Sequence, residues 1–132
     1  MKTLIVEDDF TSRILLQELL RSYGPTHVAV NGKEAVNAFT TAVKASEPYD
    51  FICLDIMMPE MDGQQVLKEI RRLELAAGIQ VADGVKILMT TALADGKNVM
   101  SAFRGACDGY LVKPIDKQRL IDEIKRLGLG AT

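Results

Sequence analysis

One segment carries most of the information about the fold: DFICLDIMMPEMDG, residues 50–63. Four apolar residues, 51–54, indicate a buried strand, and they lead directly to a carboxylate, Asp55. The chain then breaks at Pro59, and Asp62 can cap a following helix. Because an unpaired charge at the end of a buried strand is costly, we expect Asp55 to have partners that offset its charge.

The same pattern of a short apolar run followed by an amphipathic helix recurs along the whole chain. The predicted strands are Thr3–Val6, His27–Val30, Asp50–Leu54, Val85–Met89 and Tyr110–Val112. The predicted helices, each counted from its cap, are 10–23, 31–44, 62–75, 95–104 and 116–127. Such alternation needs crossover connections, which make neighbouring strands parallel. The sequence therefore predicts an α/β fold: a five-stranded parallel sheet, doubly wound in the flavodoxin-like (βα)5 manner, with three α/β/α layers.

Composition limits the class of protein. A chain of 132 residues with 48% hydrophobic and 26% charged residues is typical of one globular domain. The apolar runs are far shorter than the roughly 20 residues of a membrane helix, and the acidic run 7–9 ends the first one too early for a signal peptide. We therefore expect a cytoplasmic protein with no membrane contact. The net charge of −2, without a basic stripe, disfavours binding of nucleic acid.

Some residues with reactive side chains are predicted to be structural. Cys53 and Cys107 have no metal-binding or redox spacing, so we expect reduced, buried thiols. His27 is the only histidine and lacks metal-binding neighbours in the sequence. The segment 74–84 is longer than a typical connection and is predicted to be a helix end followed by a loop, by default a tolerated insertion.

The chemically capable side chains collect at one rim of the predicted sheet. The ligand site of an open parallel sheet lies beyond the carboxyl ends of its strands. Four of the five predicted strands lead here to the acidic run 7–9, Asp55, Thr90–Thr91 and Lys113–Pro114. Clustered carboxylates suit Mg²⁺, which prefers oxygen ligands, and lysine and hydroxyl donors suit a phosphoryl group. Each group alone could be a cap or a turn, but the four together predict a phosphoryl-transfer site with Asp55 as the nucleophile.

In their order along the chain, these motifs resemble the receiver domains of two-component response regulators, especially the single-domain chemotaxis type. The matching segments are LIVEDDFTSR, NGKEA, DFICLDIMMPEMDG, ILMTTALAD and GYLVKPID. They span nearly the whole chain and together are highly specific. The resemblance implies a receiver domain over residues 1–132 with no output domain, and a monomer, with dimerisation after phosphorylation left open.

The function implied by this resemblance is that of a phosphoacceptor signalling protein, which catalyses only its own phosphorylation and dephosphorylation. The implied phosphodonor is a histidine kinase or a histidine phosphotransfer protein, and the implied output is binding to an unknown downstream protein. Asp55 becomes the phosphorylated residue. Mg²⁺ is expected to bind Asp8, Asp55 and the backbone carbonyl of Met57 directly, and Glu7 through a water.

The acidic run leaves one position ambiguous, because either Glu7–Asp8 or Asp8–Asp9 could form the metal-binding pair. In the family, the acidic pair directly follows the last valine of the first strand, and an arginine often stands five residues after the second acid. Val6 and Arg13 have these positions when the pair is Glu7–Asp8. The resemblance therefore favours that pair.

The remaining site residues follow from the same resemblance. Thr91, rather than Thr90, matches the switch hydroxyl of the family. It lies 22 residues before Lys113, the spacing that typical members have between this hydroxyl and their site lysine. The resemblance implies that Lys113 contacts the phosphoryl oxygens and that its bond to Pro114 is cis. Tyr110 matches the aromatic switch, whose ring moves when the Thr91 hydroxyl is drawn toward the phosphoryl group.

Two positions bear on the lifetime of the phosphorylated state. Met57 and Leu93, each two residues after a site residue, are apolar, whereas faster family members often have polar groups there that position the attacking water. We therefore expect a comparatively long-lived aspartyl phosphate.

Three other functions are weaker interpretations of the sequence. A Mg²⁺-dependent aspartyl-phosphate phosphohydrolase of the haloacid dehalogenase type has an Asp-x-Asp motif after its first strand, whereas Asp55 follows the third and Met57 stands two residues later. A flavodoxin-like mononucleotide binder needs a phosphate loop where residues 7–9 are acidic. A degenerate receiver that acts only as a scaffold is disfavoured by the complete set Glu7, Asp8, Asp55, Thr91 and Lys113.

Overall fold

Strands and helices alternate along residues 1–58, 61–92 and 106–130, the part of the chain that the computed structural model describes. The strands are Thr3–Val6 (β1), Thr26–Ala29 (β2), Phe51–Asp55 (β3), Lys86–Thr91 (β4) and Gly109–Val112 (β5). The α-helices in these ranges are Phe10–Leu20 (α1), Gly32–Lys44 (α2), Gly63–Ala76 (α3) and Lys117–Arg126 (α4). Short 3₁₀-helices cover Arg21–Tyr23 and Val81–Asp83. The helix predicted at 95–104 lies outside the described residues.

All five strands form one parallel sheet in the order β2-β1-β3-β4-β5. The predicted fold class is therefore confirmed. β3 lies at the centre, and all of its residues are buried. Its last residue, Asp55, pairs with Thr90 of β4, so the carboxylate lies at the carboxyl-terminal edge of the sheet.

The sheet has a hydrophobic core on each face. Side chains alternate between the two faces of a strand, and a strand buried on both faces is apolar at nearly every position. On one face, α2 and α3 pack on the strand residues Leu4, Val6, Ile52, Leu54, Ile87 and Met89. On the other, α1 and α4 pack on the strand residues Ile5, Phe51, Cys53, Leu88 and Leu111. This is the predicted three-layer arrangement.

The structure differs from the prediction at the end of β4 and shows which side chains of α1 are buried. β4 does not end at Met89 but continues through Thr91, because the β-branched threonines pair with the ends of β3 and β5. The first helix does not bury Phe10 and Ile14, which are 67% and 47% exposed. The buried row of α1 consists instead of Leu16 and Leu20, which are four residues apart.

Side-chain caps fix where the helices begin. Asn31 accepts a hydrogen bond from the Glu34 N–H at 2.8 Å, while the Glu34 carboxylate reaches one residue further back, to the Val30 N–H. Asp62 and Gln65 form a complete capping box at the start of α3. The capping box at Asp62 begins α3 directly beside the end of β3, where the Gly63 N–H donates to the Ile56 carbonyl.

The connection from α3 to β4 is more ordered than the predicted loop. Glu74 is buried, and its carboxylate accepts a hydrogen bond from the Val85 N–H at 2.7 Å. The same carboxylate pairs with Arg71 at 2.6 Å. Because a buried charge is stable only when paired, these contacts tie the end of the connection to α3. Among the described residues, no helix combines the length and the apolar character needed to cross a membrane.

Gly63 lets α3 approach the end of β3 closely, which predicts a strong effect of a small substitution. A Cβ atom there would overlap the Asp55 carbonyl oxygen and lie 2.8 Å from the Ile56 Cα. We expect Gly63→Ala to lower the free energy of unfolding by about 1–3 kcal/mol. The matched control, Gln64→Ala in the same turn, should change it by less than about 0.5 kcal/mol. Equal urea-unfolding midpoints and slopes for Gly63→Ala and wild type would contradict this account.

Candidate functional site

Three carboxylates meet at the carboxyl-terminal edge of the sheet. β1 and β3 are neighbours in parallel register, so Glu7 and Asp8, which follow β1, lie beside Asp55 at the end of β3. One carboxylate oxygen from each of the three lies within 4.8 Å of the others. Glu7 and Asp55 are buried, whereas Asp8 is exposed. A set of oxygen ligands with one member open to solvent suits a hard divalent cation.

The ammonium of Lys113 approaches this cluster from β5. It forms an ion pair with Glu7 Oε1 and lies 3.5 Å from Asp55 Oδ2. The Lys113 N–H donates to the Thr91 carbonyl at 2.7 Å, which fixes the lysine backbone against β4. The Lys113–Pro114 peptide bond is cis, the form that the resemblance implies.

Burial and the nearby charges change the pKa values of Asp55 and Lys113. The pKa of Asp55 is raised to about 7, first by burial and then by the adjacent Glu7 carboxylate. The Lys113 ammonium and the Met57 N–H, 3.2 Å from Asp55 Oδ1, act in the opposite direction. Burial lowers the pKa of Lys113, but its contacts with Glu7 and Asp55 outweigh burial and raise it.

The donor set fits a divalent cation. If all three carboxylates lost their protons, the single Lys113 ammonium would leave two negative charges uncompensated. Glu7 Oε1 is buried and meets the Lys113 ammonium at ion-pair distance, but no hydrogen bond of regular geometry reaches it from the described residues. A cation at the mouth of the cluster would offset both the excess charge and the raised pKa of Asp55.

The cluster distinguishes between the two possible metal-binding pairs, Glu7–Asp8 and Asp8–Asp9. It contains Glu7 and Asp8 and leaves out Asp9. Asp9 is instead the N-cap of α1, where its carboxylate accepts the Ser12 N–H at 2.9 Å. This bond lowers the pKa of Asp9. An aspartate at the start of an amphipathic helix is a recognisable cap, so this role could have been found from the sequence.

The hydroxyl and aromatic residues lie along β4 and β5. Thr90 pairs directly with Asp55, whereas Thr91 is one residue further along the strand; both are buried. Because side chains alternate, Thr91 lies on the same face of the sheet as Met89, which pairs with Tyr110. Tyr110 is half-buried and packs on the core of that face. A shared face for Thr91 and Tyr110 is compatible with the predicted switch pair.

Other sequence predictions at the site have mixed outcomes. The side chain of Met57 is 57% exposed, and its backbone carbonyl as a metal ligand stays a prediction. Leu93 lies outside the described residues. Cys53 is a buried free thiol whose pKa burial raises to about 12, as expected of a structural cysteine. His27 Nδ1 is 2.7 Å from the Tyr49 hydroxyl, a hydrogen bond remote from the acidic cluster in sequence and not anticipated.

Comparison with known proteins shows which family the chain resembles. The family model of the response regulator receiver domain matches residues 3–125. The chain belongs to this family. It is 31% identical over 127 residues to the chemotaxis protein CheY of Bacillus subtilis, and the match covers 95% of each chain. It is 34% identical over 125 residues to the probable transcriptional regulator ycf27 of Cyanidium caldarium, covering 94% of this chain and 45% of that relative.

Solved structures of receiver domains have the same architecture. The response regulator TrrA of Thermotoga maritima, in complex with Mg²⁺-BeF, is 32% identical to this receiver domain with a TM-score of 0.75. The match covers 96% of this chain and 97% of that one. Several curated relatives are longer: this receiver domain spans 45%, 12% and 25% of three of them.

The raised pKa of Asp55 predicts a pH dependence of stability in the metal-free protein. An aspartate in the unfolded chain has a pKa of about 3.9, whereas Asp55 in the folded protein has one of about 7. Between these values the folded state binds more protons, so the contribution of Asp55 to the free energy of unfolding should fall as pH rises from about 4 to about 7 and then level off. Asp55→Asn mimics the protonated form and lacks this loss.

Urea unfolding in EDTA at several pH values measures the difference between Asp55→Asn and wild type. The variant should gain stability relative to wild type as pH rises through this range. A difference that is independent of pH would contradict the raised pKa.

Proposed function

We propose that this receiver domain is the phosphoacceptor of a two-component phosphorelay. Asp55 would receive a phosphoryl group from a histidine kinase or a histidine phosphotransfer protein in a Mg²⁺-dependent reaction. The observation that carries the proposal is the meeting of three carboxylates from β1 and β3 with the Lys113 ammonium at one rim. This arrangement has a nucleophile, a cation site and a fixed positive charge within a few ångströms.

In the proposed reaction, an Asp55 carboxylate oxygen attacks the phosphorus of a phosphohistidine. The new oxygen–phosphorus bond forms as the nitrogen–phosphorus bond breaks, and the electron pair remains on the donor's imidazole. Only the ionised carboxylate is nucleophilic, so the groups that oppose its raised pKa also favour attack. Lys113 does so from 3.5 Å, and its ammonium can then contact a phosphoryl oxygen.

The residues proposed to hold Mg²⁺ are Glu7, Asp8, Asp55 and the Met57 carbonyl. The ion, when bound, supplies positive charge next to the transferred phosphoryl oxygens. Glu7 is fully buried and its carboxylate already meets the Lys113 ammonium, so we propose that it contacts the ion through a water. Asp8 is exposed and can reach an ion that enters from solvent.

The proposed output is a change in packing around β4 and β5. Thr91 is the proposed hydroxyl that contacts the phosphoryl group, and Tyr110 is the proposed side chain that responds. Support comes from their shared face on neighbouring strands and from the partial exposure of Tyr110, whose ring can exchange between two environments. The altered surface would bind a downstream protein, and the domain would turn over no separate substrate.

Phosphorylation by a small phosphodonor such as acetyl phosphate tests this function directly. We expect the wild-type protein to gain one phosphoryl group in the presence of Mg²⁺, and none in EDTA, as measured by intact-protein mass spectrometry. Asp55→Asn should not be labelled. The matched control is Asp50→Asn, which removes a carboxylate near the opposite end of β3 and should be labelled like wild type. Labelling of Asp55→Asn to the wild-type extent would exclude Asp55 as the acceptor.

The exposed apolar side chain of Met57 predicts slow hydrolysis of the aspartyl phosphate. It offers no polar group to orient water, although its own N–H lies next to Asp55. We expect Met57→Asn to shorten the half-life by about tenfold, which corresponds to about 1.4 kcal/mol of barrier. Met57→Leu, which is also apolar, should leave it unchanged. A wild-type phosphoprotein that decays within seconds in Mg²⁺, or an unchanged half-life in Met57→Asn, would refute this explanation.

A further inference from the structure

Two arginines from opposite faces of the sheet hold residues 106–108, named here the entry turn because β5 begins directly after it. From α3, Arg71 Nε donates to the Ala106 carbonyl at 2.8 Å, and Arg71 Nη2 contacts Asp108 Oδ2 at 3.2 Å. From α4, the Arg126 guanidinium donates to the Asp108 carbonyl at 2.5 Å. The entry turn is therefore attached to both helical layers.

Asp108 also fastens the entry turn to β4. Its N–H donates to the Ile87 carbonyl at 2.8 Å, and its carboxylate accepts the Ile87 N–H at 2.8 Å. The Asp108 carboxylate thus accepts the hydrogen bond that a backbone carbonyl would accept in a strand. It extends the hydrogen-bond pattern between β4 and β5 to the residue before β5. The same carboxylate also meets Arg71, and because the acceptor in both contacts is a carboxylate, both are charge-assisted and stronger than ordinary strand bonds.

Arg71 is itself fixed by a third acceptor. Its Nη1 contacts the buried Glu74 carboxylate at 2.6 Å, and Glu74 is held in turn by the Val85 N–H. A guanidinium has a rigid planar fork of donors, so it can serve Glu74, Ala106 and Asp108 together. The single ammonium of a lysine has the same charge but cannot reproduce this geometry.

The entry turn matters because β5 is an edge strand. It has four residues and, among residues 1–58, 61–92 and 106–130, pairs with β4 alone, so no second strand from these ranges limits its movement. Close packing at its first residue leaves little space: a Cβ atom on Gly109 would lie 2.6 Å from the Arg126 guanidinium. Tyr110 stands two residues after the entry turn, and Lys113 follows the last residue of the strand.

We propose that Arg71 and Asp108 are positioning residues of the phosphoacceptor site. By holding the entry turn, they fix the position of β5 along β4, so that the Lys113 ammonium reaches phosphoryl oxygens on Asp55. This inference rests on the proposed function. A constellation of this kind must be held to within about 0.5 Å, which requires neighbours that are themselves locked by hydrogen bonds. The carboxylates proposed to bind the metal, in contrast, lie on or directly after β1 and β3, whereas the hydrogen bonds of the entry turn described above run to β4, α3 and α4.

The difference between these strands provides the test. Arg71→Lys should not raise the dissociation constant for Mg²⁺ alone, because a displaced Lys113 would only remove positive charge from the cluster. At saturating Mg²⁺ it should bind beryllofluoride, an analogue of the phosphoryl group on aspartate, about tenfold more weakly than wild type. Isothermal titration calorimetry measures both constants. The matched control is Arg72→Lys, the same substitution one residue later in α3, where the exposed arginine pairs with Glu69 and should not affect either constant.

Asp108→Asn is a second variant of nearly unchanged shape, which retains an oxygen for the Ile87 N–H but loses the charge that faces Arg71. It should weaken beryllofluoride binding in the same direction, and far-ultraviolet circular dichroism should confirm that it is folded. If both variants bind beryllofluoride like wild type, or lose Mg²⁺ affinity to the same extent, the positioning role is wrong. If wild type binds no beryllofluoride in Mg²⁺, the proposed function itself is wrong.

Discussion

The meeting of Glu7 and Asp55 in a buried place is the interaction on which the site depends. Burial and the neighbouring Glu7 carboxylate raise the pKa of Asp55, and Lys113 is the cation that the described residues place against both carboxylates. The fold tolerates this arrangement because the exposed Asp8 completes an oxygen cluster that a divalent cation can enter. The metal-free protein therefore contains unfavourable interactions between its carboxylates, and ligand binding would relieve them.

The sheet order explains why these groups meet. β3 is flanked by β1 on one side and β4 on the other, so one rim receives the acidic residues after β1, Asp55, and the threonines of β4. β5 adds Lys113 from the edge. Gly63 brings the capped start of α3 against the end of β3. The apolar run that precedes Asp55 thus has two roles, as the centre of both cores and as the rigid support of the proposed nucleophile.

The sequence was sufficient to predict the fold class and the residues at the rim, because both follow from local patterns. Alternation of strands and helices implies a parallel sheet, and polar residues at strand ends must then share one edge. The exposure of Phe10 and Ile14 on α1 could not be predicted, because helical spacing alone does not say which of two apolar rows faces the sheet. The Arg71, Glu74 and Asp108 network could not be found in this way, since Arg71 and Asp108 are 37 residues apart and meet only through the tertiary fold.

The central claim is that Asp55, and no other carboxylate of the cluster, accepts the phosphoryl group. Borohydride reduces an aspartyl phosphate to homoserine and so marks the acceptor permanently. Peptide mass spectrometry after phosphorylation in Mg²⁺ and borohydride treatment should find homoserine at position 55 and unmodified residues at Glu7 and Asp8. A reduced side chain at Glu7 or Asp8, or no homoserine at position 55 in protein that has gained a phosphoryl group, would contradict the account.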